Sequence, residues 1–189
     1  MSKYKVNIGD IELISLTDGQ GSGEATEIFP TSDLDIWQSE YRDLLDGTVI
    51  HPRFGSFVIS LNGRLIVVDT GMNGPDGKLL DEMNAKGVDR NQIEIVINTH
   101  LHPDHVGWNL SNGKPTFPNA RYLVPKHDWD YWTGPEVIND APWVTDSVVP
   151  LNEERILDLI EIGRAHAELQ SLVNLVCRLL LEKKNKKKK

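Results

Sequence analysis

Alternating apolar and polar residues predict two β-hairpins in the first part of the chain. The stretch KVNIGDIELISL alternates on both sides of Gly9-Asp10, and FGSFVISLNGRLIVVDTG contains two apolar runs joined by Asn62-Gly63. Asn-Gly between apolar runs is a strong signal for a two-residue turn, because both turn positions favour a left-handed backbone. We therefore expect four strands here, arranged as two antiparallel pairs.

The rest of the chain alternates between helical and strand periods. A polar and acidic passage, roughly residues 17–52, is expected to be mostly loop with a short helix near residues 36–45. Downstream, GKLLDEMNAKG has the spacing of an amphipathic helix that ends at Gly87. Strands are predicted for IEIVIN, ARYLVP and RILDLI, and a helical turn for HDWDYW. Strands, a helix and then strands again indicate an α/β layered sandwich.

The candidate chemistry follows the apolar run IEIVIN, in the stretch THLHPDHVGWN. Three histidines and one carboxylate fall within six positions there: His100, His102, Asp104 and His105. Imidazole and carboxylate ligands without a thiolate suit zinc, with manganese, iron or cobalt as alternatives. Two neighbouring groups of ligands fit two metal ions, and metals about 3.5–4 Å apart can share a hydroxide that acts as a nucleophile.

Simpler explanations exist for each of these residues alone. A single histidine is commonly surface decoration, and an Asp-His pair can cap a helix. Four such residues at this spacing favour the metal site. His127 and His51 are expected to be surface and loop residues. Trp129, Trp132 and Trp143 are expected to pack the core or a lid. Trp108 is the exception, because it lies three residues from a candidate ligand.

Composition and charge exclude several classes of function. The 189 residues carry a net charge of −8, but residues 1–160 hold 12 basic and 25 acidic side chains, a net of −13. So acidic a surface repels phosphate backbones, which argues against a nucleic-acid partner. The single cysteine, Cys177, allows neither a disulfide framework nor a thiolate zinc site. The first residues lack the apolar core of a signal peptide, and no run reaches the length of a membrane span, so a cytoplasmic protein is expected.

The string HLHPDH resembles the His-x-His-x-Asp-His signature of the metallo-β-lactamase fold superfamily. Upstream, LIVVDTG is similar to the strand of that superfamily that ends in an Asp-Thr-Gly turn. The longer pattern THLHPDHVGWN…FPNARYLV resembles the branch of quorum-quenching N-acyl homoserine lactonases and methyl parathion hydrolase-like enzymes. The resemblance spans residues 5–160 and implies a four-layer αββα sandwich with metals at one edge of its sheets, of which this chain would hold the N-terminal half.

The resemblance also implies a role for each matching residue. His100 and His102 would bind a first zinc ion, and Asp104 and His105 a second. Asp69 would steady the ligand loop without touching a metal. The alternative, that the Asp69 carboxylate only orders its own turn, stays open and differs little from this role.

Two features depart from the family pattern. The family completes its site with a histidine in a glycine-rich loop, a bridging aspartate and a late histidine, and residues 128–160 contain no histidine. Residues 161–189 include EIGRAH and LVCRLLLEKK, which resemble a translated sequencing adapter that runs into lysines. We therefore expect an incomplete domain over residues 1–160 and a non-native tail over 161–189. The alternative is an amphipathic helix, since leucines and valines in the tail follow a helical stripe.

The function implied by the resemblance is that of a dinuclear zinc hydrolase. A metal-bound hydroxide would open a lactone or cleave a similar small-molecule ester, with Asp104 among the catalytic ligands. Phosphotriester and thioester hydrolysis are the alternatives within the same fold. A different alternative is that the chain is a non-catalytic fragment with a half-built metal site. The oligomeric state is open.

Overall fold

A computed structural model describes residues 4–161, so the tail predicted over 161–189 lies outside the described residues except for its first position. The strands are β1 (Lys5–Ile8), β2 (Ile11–Gln20), β3 (Gly23–Glu24), β4 (Val49–Ile50), β5 (Arg53–Leu61), β6 (Arg64–Val68), β7 (Ile93–Ile97), β8 (Leu110–Ser111), β9 (Lys114–Pro115), β10 (Arg121–Pro125) and β11 (Leu157–Ile160). The helices are α1 (Ala25–Ile28), α2 (Leu34–Glu40), α3 (Leu79–Ala85), α4 (Pro103–Val106), α5 (Lys126–Trp132), α6 (Pro142–Ser147) and α7 (Val149–Glu153). Single 3-10 turns occur at Arg42–Leu44, Arg90–Gln92 and Ile138–Asp140.

One seven-stranded mixed sheet organises the fold. Its strand order is β1-β2-β5-β6-β7-β10-β11. Within this sheet, β1, β2, β5 and β6 pair antiparallel, whereas β6, β7, β10 and β11 pair parallel. Neighbouring parallel strands end at the same edge of a sheet, so the segments that follow β6, β7 and β10 meet there. This edge carries the histidine cluster.

Both predicted hairpins are confirmed. Strands β1 and β2 pair from Ile8 opposite Ile11, and β5 and β6 pair from Leu61 opposite Arg64. The turn between β5 and β6 has Asn62 at φ 52° and Gly63 at φ 79°, the left-handed backbone that Asn-Gly favours.

The later elements match their predictions, whereas the expectation of mostly loop over residues 17–52 is wrong, since this passage holds the end of β2 and all of β3, α1, α2 and β4. The predicted strands correspond to β7, β10 and β11, and the predicted helical turn to α5. Helix α3 ends before Gly87, which adopts φ 73°. The helix expected near residues 36–45 occurs in two pieces, because the Tyr41 backbone closes α2 by donating to Trp37 O and a 3-10 turn then follows.

The apolar core lies between one face of the sheet and a layer of helices. The central strands contribute Val58, Val67 and Val96, which are fully buried. Met83 of α3 and Leu151 of α7 belong to the same cluster. The fold is therefore mixed α/β, with a large sheet and packed helices, as expected. Within residues 4–161, no helix is long and apolar enough to cross a membrane.

Candidate metal centre

The histidine cluster lies directly beyond the end of β7. His100 and His102 are in the loop that follows this strand, and His105 lies in the short helix α4, which begins at Pro103. The ring centroid of His100 is 4.5 Å from that of His102 and 3.9 Å from that of His105. The structure thus brings the three predicted imidazoles together at one point of the sheet edge.

Asp69 contacts this cluster from the end of the neighbouring strand β6. Its Oδ1 accepts a hydrogen bond from the Thr99 backbone N–H at 2.7 Å, and its Oδ2 accepts one from the Thr99 hydroxyl at 2.8 Å. The His105 Nδ1 lies 2.8 Å from the same Oδ2. The Asp69 backbone adopts φ 57°, a left-handed conformation that aspartate tolerates better than most residues. The carboxylate therefore orders the ligand loop as well as its own turn.

The hydrogen bonds define which imidazole nitrogens remain available. Because a carboxylate can only accept, His105 carries a proton on Nδ1, and in its neutral form the lone pair of Nε2 is available. The Thr99 hydroxyl gives its only proton to Asp69, so it accepts from His100 Nδ1, which lies 2.9 Å away. His100 then also presents Nε2 as an unprotonated nitrogen. Asp104 Oδ2 lies 3.4 Å from His105 Nε2, so these two potential metal-binding atoms can face a common ion.

The electrostatics differ between the two half-buried imidazoles, His100 and His105. The pKa of His100 is lowered, first by burial and then by the neighbouring His105 and His102. Burial also acts to lower the pKa of His105, but its hydrogen bond to Asp69 and the charges of Asp69 and Asp104 outweigh burial, so the net shift is upward. A lowered pKa keeps His100 in the neutral form that binds metals.

The chemistry of the four candidate ligands suits a divalent metal. Imidazole nitrogens and a carboxylate oxygen are ligands that zinc accepts. Across residues 4–161, no three histidine, cysteine, aspartate or glutamate side chains converge on one metal position. The ring of His100 lies closer to that of His105, at 3.9 Å, than to that of His102, at 4.5 Å, so the division of the four residues into two ligand pairs stays a prediction.

A buried amide network behind the cluster was missed by the sequence analysis. The backbone oxygen of His105 accepts hydrogen bonds from the Thr70 N–H at 2.8 Å, the Thr70 hydroxyl at 3.2 Å and the Asn98 side-chain amide at 3.1 Å. Asn109 donates to Asn98 Oδ1 at 3.1 Å. All three side chains are fully buried. The available signal was the polar Asn98 immediately after an apolar strand, since an amide at such a position needs a buried partner.

Four tryptophans pack against the core: Trp108, Trp129, Trp132 and Trp143. Trp132 lies edge-on to His102, with ring centroids 5.6 Å apart. Trp143 donates its indole N–H to Leu101 O at 2.8 Å, which ties α6 to the ligand loop. His51 and His127 are exposed, as predicted.

The chain belongs to the Metallo-beta-lactamase superfamily, whose sequence model matches residues 56–166. Its similarity to hydroxyacylglutathione hydrolase from Aeromonas salmonicida is 31% identity over 114 residues, which is 60% of this chain and 40% of that protein. A probable metallo-hydrolase from Methanocaldococcus jannaschii is 37% identical over 62 residues, covering 32% of this chain and 28% of the relative. The chain therefore spans less than half the length of these relatives.

Two solved structures share the fold. The hydrolase AbOPH of the beta lactamase superfamily superposes with a TM-score of 0.74 at 20% identity, over 87% of this chain and 62% of that one. AidC, a dizinc quorum-quenching lactonase in complex with a product, gives a TM-score of 0.68 at 22% identity, over 87% of this chain and 63% of that one. At such identities the likeness establishes the fold alone.

Proposed function

We propose that this chain carries the metal-binding part of a zinc-dependent hydrolase that acts on a small-molecule lactone or a similar ester. His100, His102, Asp104 and His105 would hold the metal ions. The observation that carries the proposal is the hydrogen bond from His105 Nδ1 to Asp69 at 2.8 Å. Metal-binding histidines almost always donate their second ring N–H to such a carboxylate, which fixes the ring and makes the free nitrogen a better ligand.

The residues themselves prepare the site for this chemistry. Asp69 holds the proton of His105 at Nδ1, and Thr99 holds that of His100 at Nδ1, so both rings present Nε2. A divalent metal bound at these atoms would activate water at neutral pH and polarise the scissile carbonyl. The Asp104 carboxylate, the one oxygen ligand among the four candidates, is 39% exposed. The ring of Trp132 packs edge-on against the exposed ring of His102.

The charge of the chain supports a neutral substrate. Residues 1–160 carry a net charge of −13, which repels anionic molecules from the surface. Lactones, simple esters and phosphotriesters are neutral at the reacting group. The AidC likeness supports a lactone through the fold alone. A thioester is the second candidate, favoured by the similarity to hydroxyacylglutathione hydrolase over 114 residues.

The test is hydrolysis by the zinc-loaded chain of four substrates: an N-acyl homoserine lactone, an aryl ester, a phosphotriester and an acyl-glutathione thioester. We expect the greatest kcat/KM with the lactone or the ester, and loss of that activity in His102→Ala but not in His127→Ala. Preference for the thioester would replace the ester proposal with the second candidate. Equal activity of His102→Ala and the unchanged chain would contradict both.

A further candidate is that this chain alone binds metal weakly and does not turn over substrate. Catalytic zinc sites normally have three protein ligands, whereas each pair here offers two. Under this candidate, zinc would be lost on dialysis and all four substrates would remain intact. Retention of zinc together with turnover would contradict it.

A further inference from the structure

Asp18, near the end of β2, is a buried carboxylate surrounded by N–H donors. Only 1% of the surface of this residue is exposed. Oδ1 accepts hydrogen bonds from Lys78 N at 2.9 Å, Leu79 N at 2.8 Å and Trp108 Nε1 at 2.7 Å. Oδ2 accepts from Met72 N and Asn73 N, both at 2.8 Å. Five donors compensate the charge, as a buried carboxylate requires.

Three of these five donors lie in the two chain segments that follow Asp69 and His105. Met72 and Asn73 follow Asp69 closely along the chain, and Trp108 follows His105 closely. The Asp18 carboxylate therefore joins the segment after the supporting carboxylate to the segment after the metal ligand. It does so from strand β2, which contributes nothing else to the cluster described above.

The two joined segments are also tied directly to each other. Gly107 N donates to Gly71 O at 2.8 Å, and Trp108 N donates to Thr70 O at 3.2 Å. Space between them is minimal: a Cβ on Gly71 would lie 2.5 Å from Asp18 Cβ, and one on Gly107 would lie 2.3 Å from the Met72 carbonyl carbon. A displacement of either segment therefore moves the other.

We propose that Asp18 and Trp108 are positioning residues that hold the Asp69–His105 hydrogen bond in place from behind the loop. Loss of the Asp18–Trp108 contact would remove the side-chain tie that holds Trp108 from β2. Because Gly107 and Trp108 are bonded to Gly71 and Thr70, a displacement of this segment would also move the residues that follow Asp69. The expected effect on zinc binding rests on the proposed function, whereas the expected effect on the Asp69–His105 hydrogen bond applies to the chain without metal.

A simpler role for Asp18 is to cap α3, since Lys78 N and Leu79 N are at the start of that helix. The indole of Trp108 takes no part in that cap. Trp108→Phe therefore removes the indole hydrogen bond to Asp18 and leaves the four backbone donors in place. The matched control is Trp37→Phe in α2, which deletes an indole hydrogen bond of 2.8 Å to Ser32 Oγ, just before that helix.

The experiment follows the His105 Hδ1 proton by NMR in the metal-free, ¹⁵N-histidine-labelled full chain. We expect its exchange with water to be at least tenfold faster in Trp108→Phe than in the unchanged chain, and unchanged in Trp37→Phe. Zinc titration should show about tenfold weaker binding for Trp108→Phe alone. An exchange rate equal to that of the unchanged chain, or an equal increase in Trp37→Phe, would overturn the proposal.

Asp18→Asn provides a second variant with a stronger expected effect. An asparagine would turn its amide N–H groups toward backbone N–H donors, so that two or more donors lose their acceptor. In the folded variant the Hδ1 proton should exchange faster than in Trp108→Phe, and slower exchange would contradict the proposal. Because Hδ1 exchange is measured without metal, failure of the unchanged chain to bind zinc would count against the proposed function alone.

Discussion

The Asp69 carboxylate and the His105 imidazole are joined by a hydrogen bond of 2.8 Å across 36 positions of sequence. The contact follows from the parallel pairing of β6 and β7, which places Val68 opposite Ile97 and brings the residues after both strands to one edge. The orientation of a candidate metal ligand is therefore set by the residue that ends the neighbouring strand. Several measurable consequences depend on this contact and on the packing behind it.

Asp69→Asn is expected to weaken zinc binding without changing the fold. Asparagine tolerates the left-handed φ of 57° at this position, so the backbone is kept. The amide removes the negative charge that holds the His105 proton, and loss of such a supporting partner typically lowers metal affinity by about 10- to 100-fold. Isothermal titration with zinc measures the effect. Asp81→Asn, at an exposed position of α3, should bind zinc as the unchanged chain does.

Tyr122→Phe is expected to destabilise the fold through one lost hydroxyl. The Tyr122 hydroxyl accepts from Phe117 N at 3.2 Å and donates to Asn109 O at 3.1 Å, in a fully buried position. The variant leaves the Phe117 N–H without its acceptor, at a cost of about 1–3 kcal/mol. Urea unfolding should show a lower midpoint with an unchanged slope. Tyr131→Phe, at a residue 56% exposed, should shift stability by less than about 0.5 kcal/mol.

The same hydroxyl predicts how stability changes at alkaline pH. Burial, opposed by the Phe117 hydrogen bond and reinforced by the charge of Glu154, raises the pKa of Tyr122 well above its ordinary value. A raised pKa favours the protonated form in the folded state, so its stabilising contribution is complete below about pH 10 and falls as pH rises further. The unchanged chain should therefore lose stability above pH 10 more steeply than Tyr122→Phe. Parallel curves for the two proteins would contradict this assignment.

Gly107→Ala is expected to disrupt the packing between the two loops of the metal centre. The added Cβ would lie 2.3 Å from backbone atoms of Met72, which cannot move aside as a flexible side chain would. Overpacking of this kind costs about 3 kcal/mol or more. Gly63→Ala is the matched control, since its Cβ would enter open space and only its φ of 79° is unfavourable, at about 1 kcal/mol. Thermal unfolding of both variants compares the two effects, and equal melting temperatures would refute the steric argument.

Local patterns predicted the elements of this fold because each depends on a few neighbouring residues. Asn62-Gly63 defined a turn by its own backbone preference, and Gly87 defined the end of α3 in the same way. The short helix near residue 40 was predicted less well, because its division at Tyr41 depends on backbone geometry that residue types do not specify.

From the sequence, the four candidate ligands stand out because they are nearly adjacent, and Asp69 is indicated only by the family resemblance of LIVVDTG. The cluster at residues 100–105 is visible as a motif, whereas the support behind it is assembled from distant strands. Asp18 and Trp108 are 90 positions apart, and Thr70 meets Asn109 across 39. Such contacts depend on strand order and loop packing. No local periodicity reveals that an aspartate in LTDG will face an indole near the metal centre.

The most direct test of the account is zinc binding by the full chain, measured by isothermal titration after exhaustive treatment with a chelator. The account predicts that the double variant His100→Ala/His102→Ala binds zinc at least tenfold more weakly than the unchanged chain. His127→Ala, an exposed histidine of α5, should bind zinc as the unchanged chain does. Equal zinc affinity in the double variant and the unchanged chain would contradict the assignment of this cluster as a metal centre.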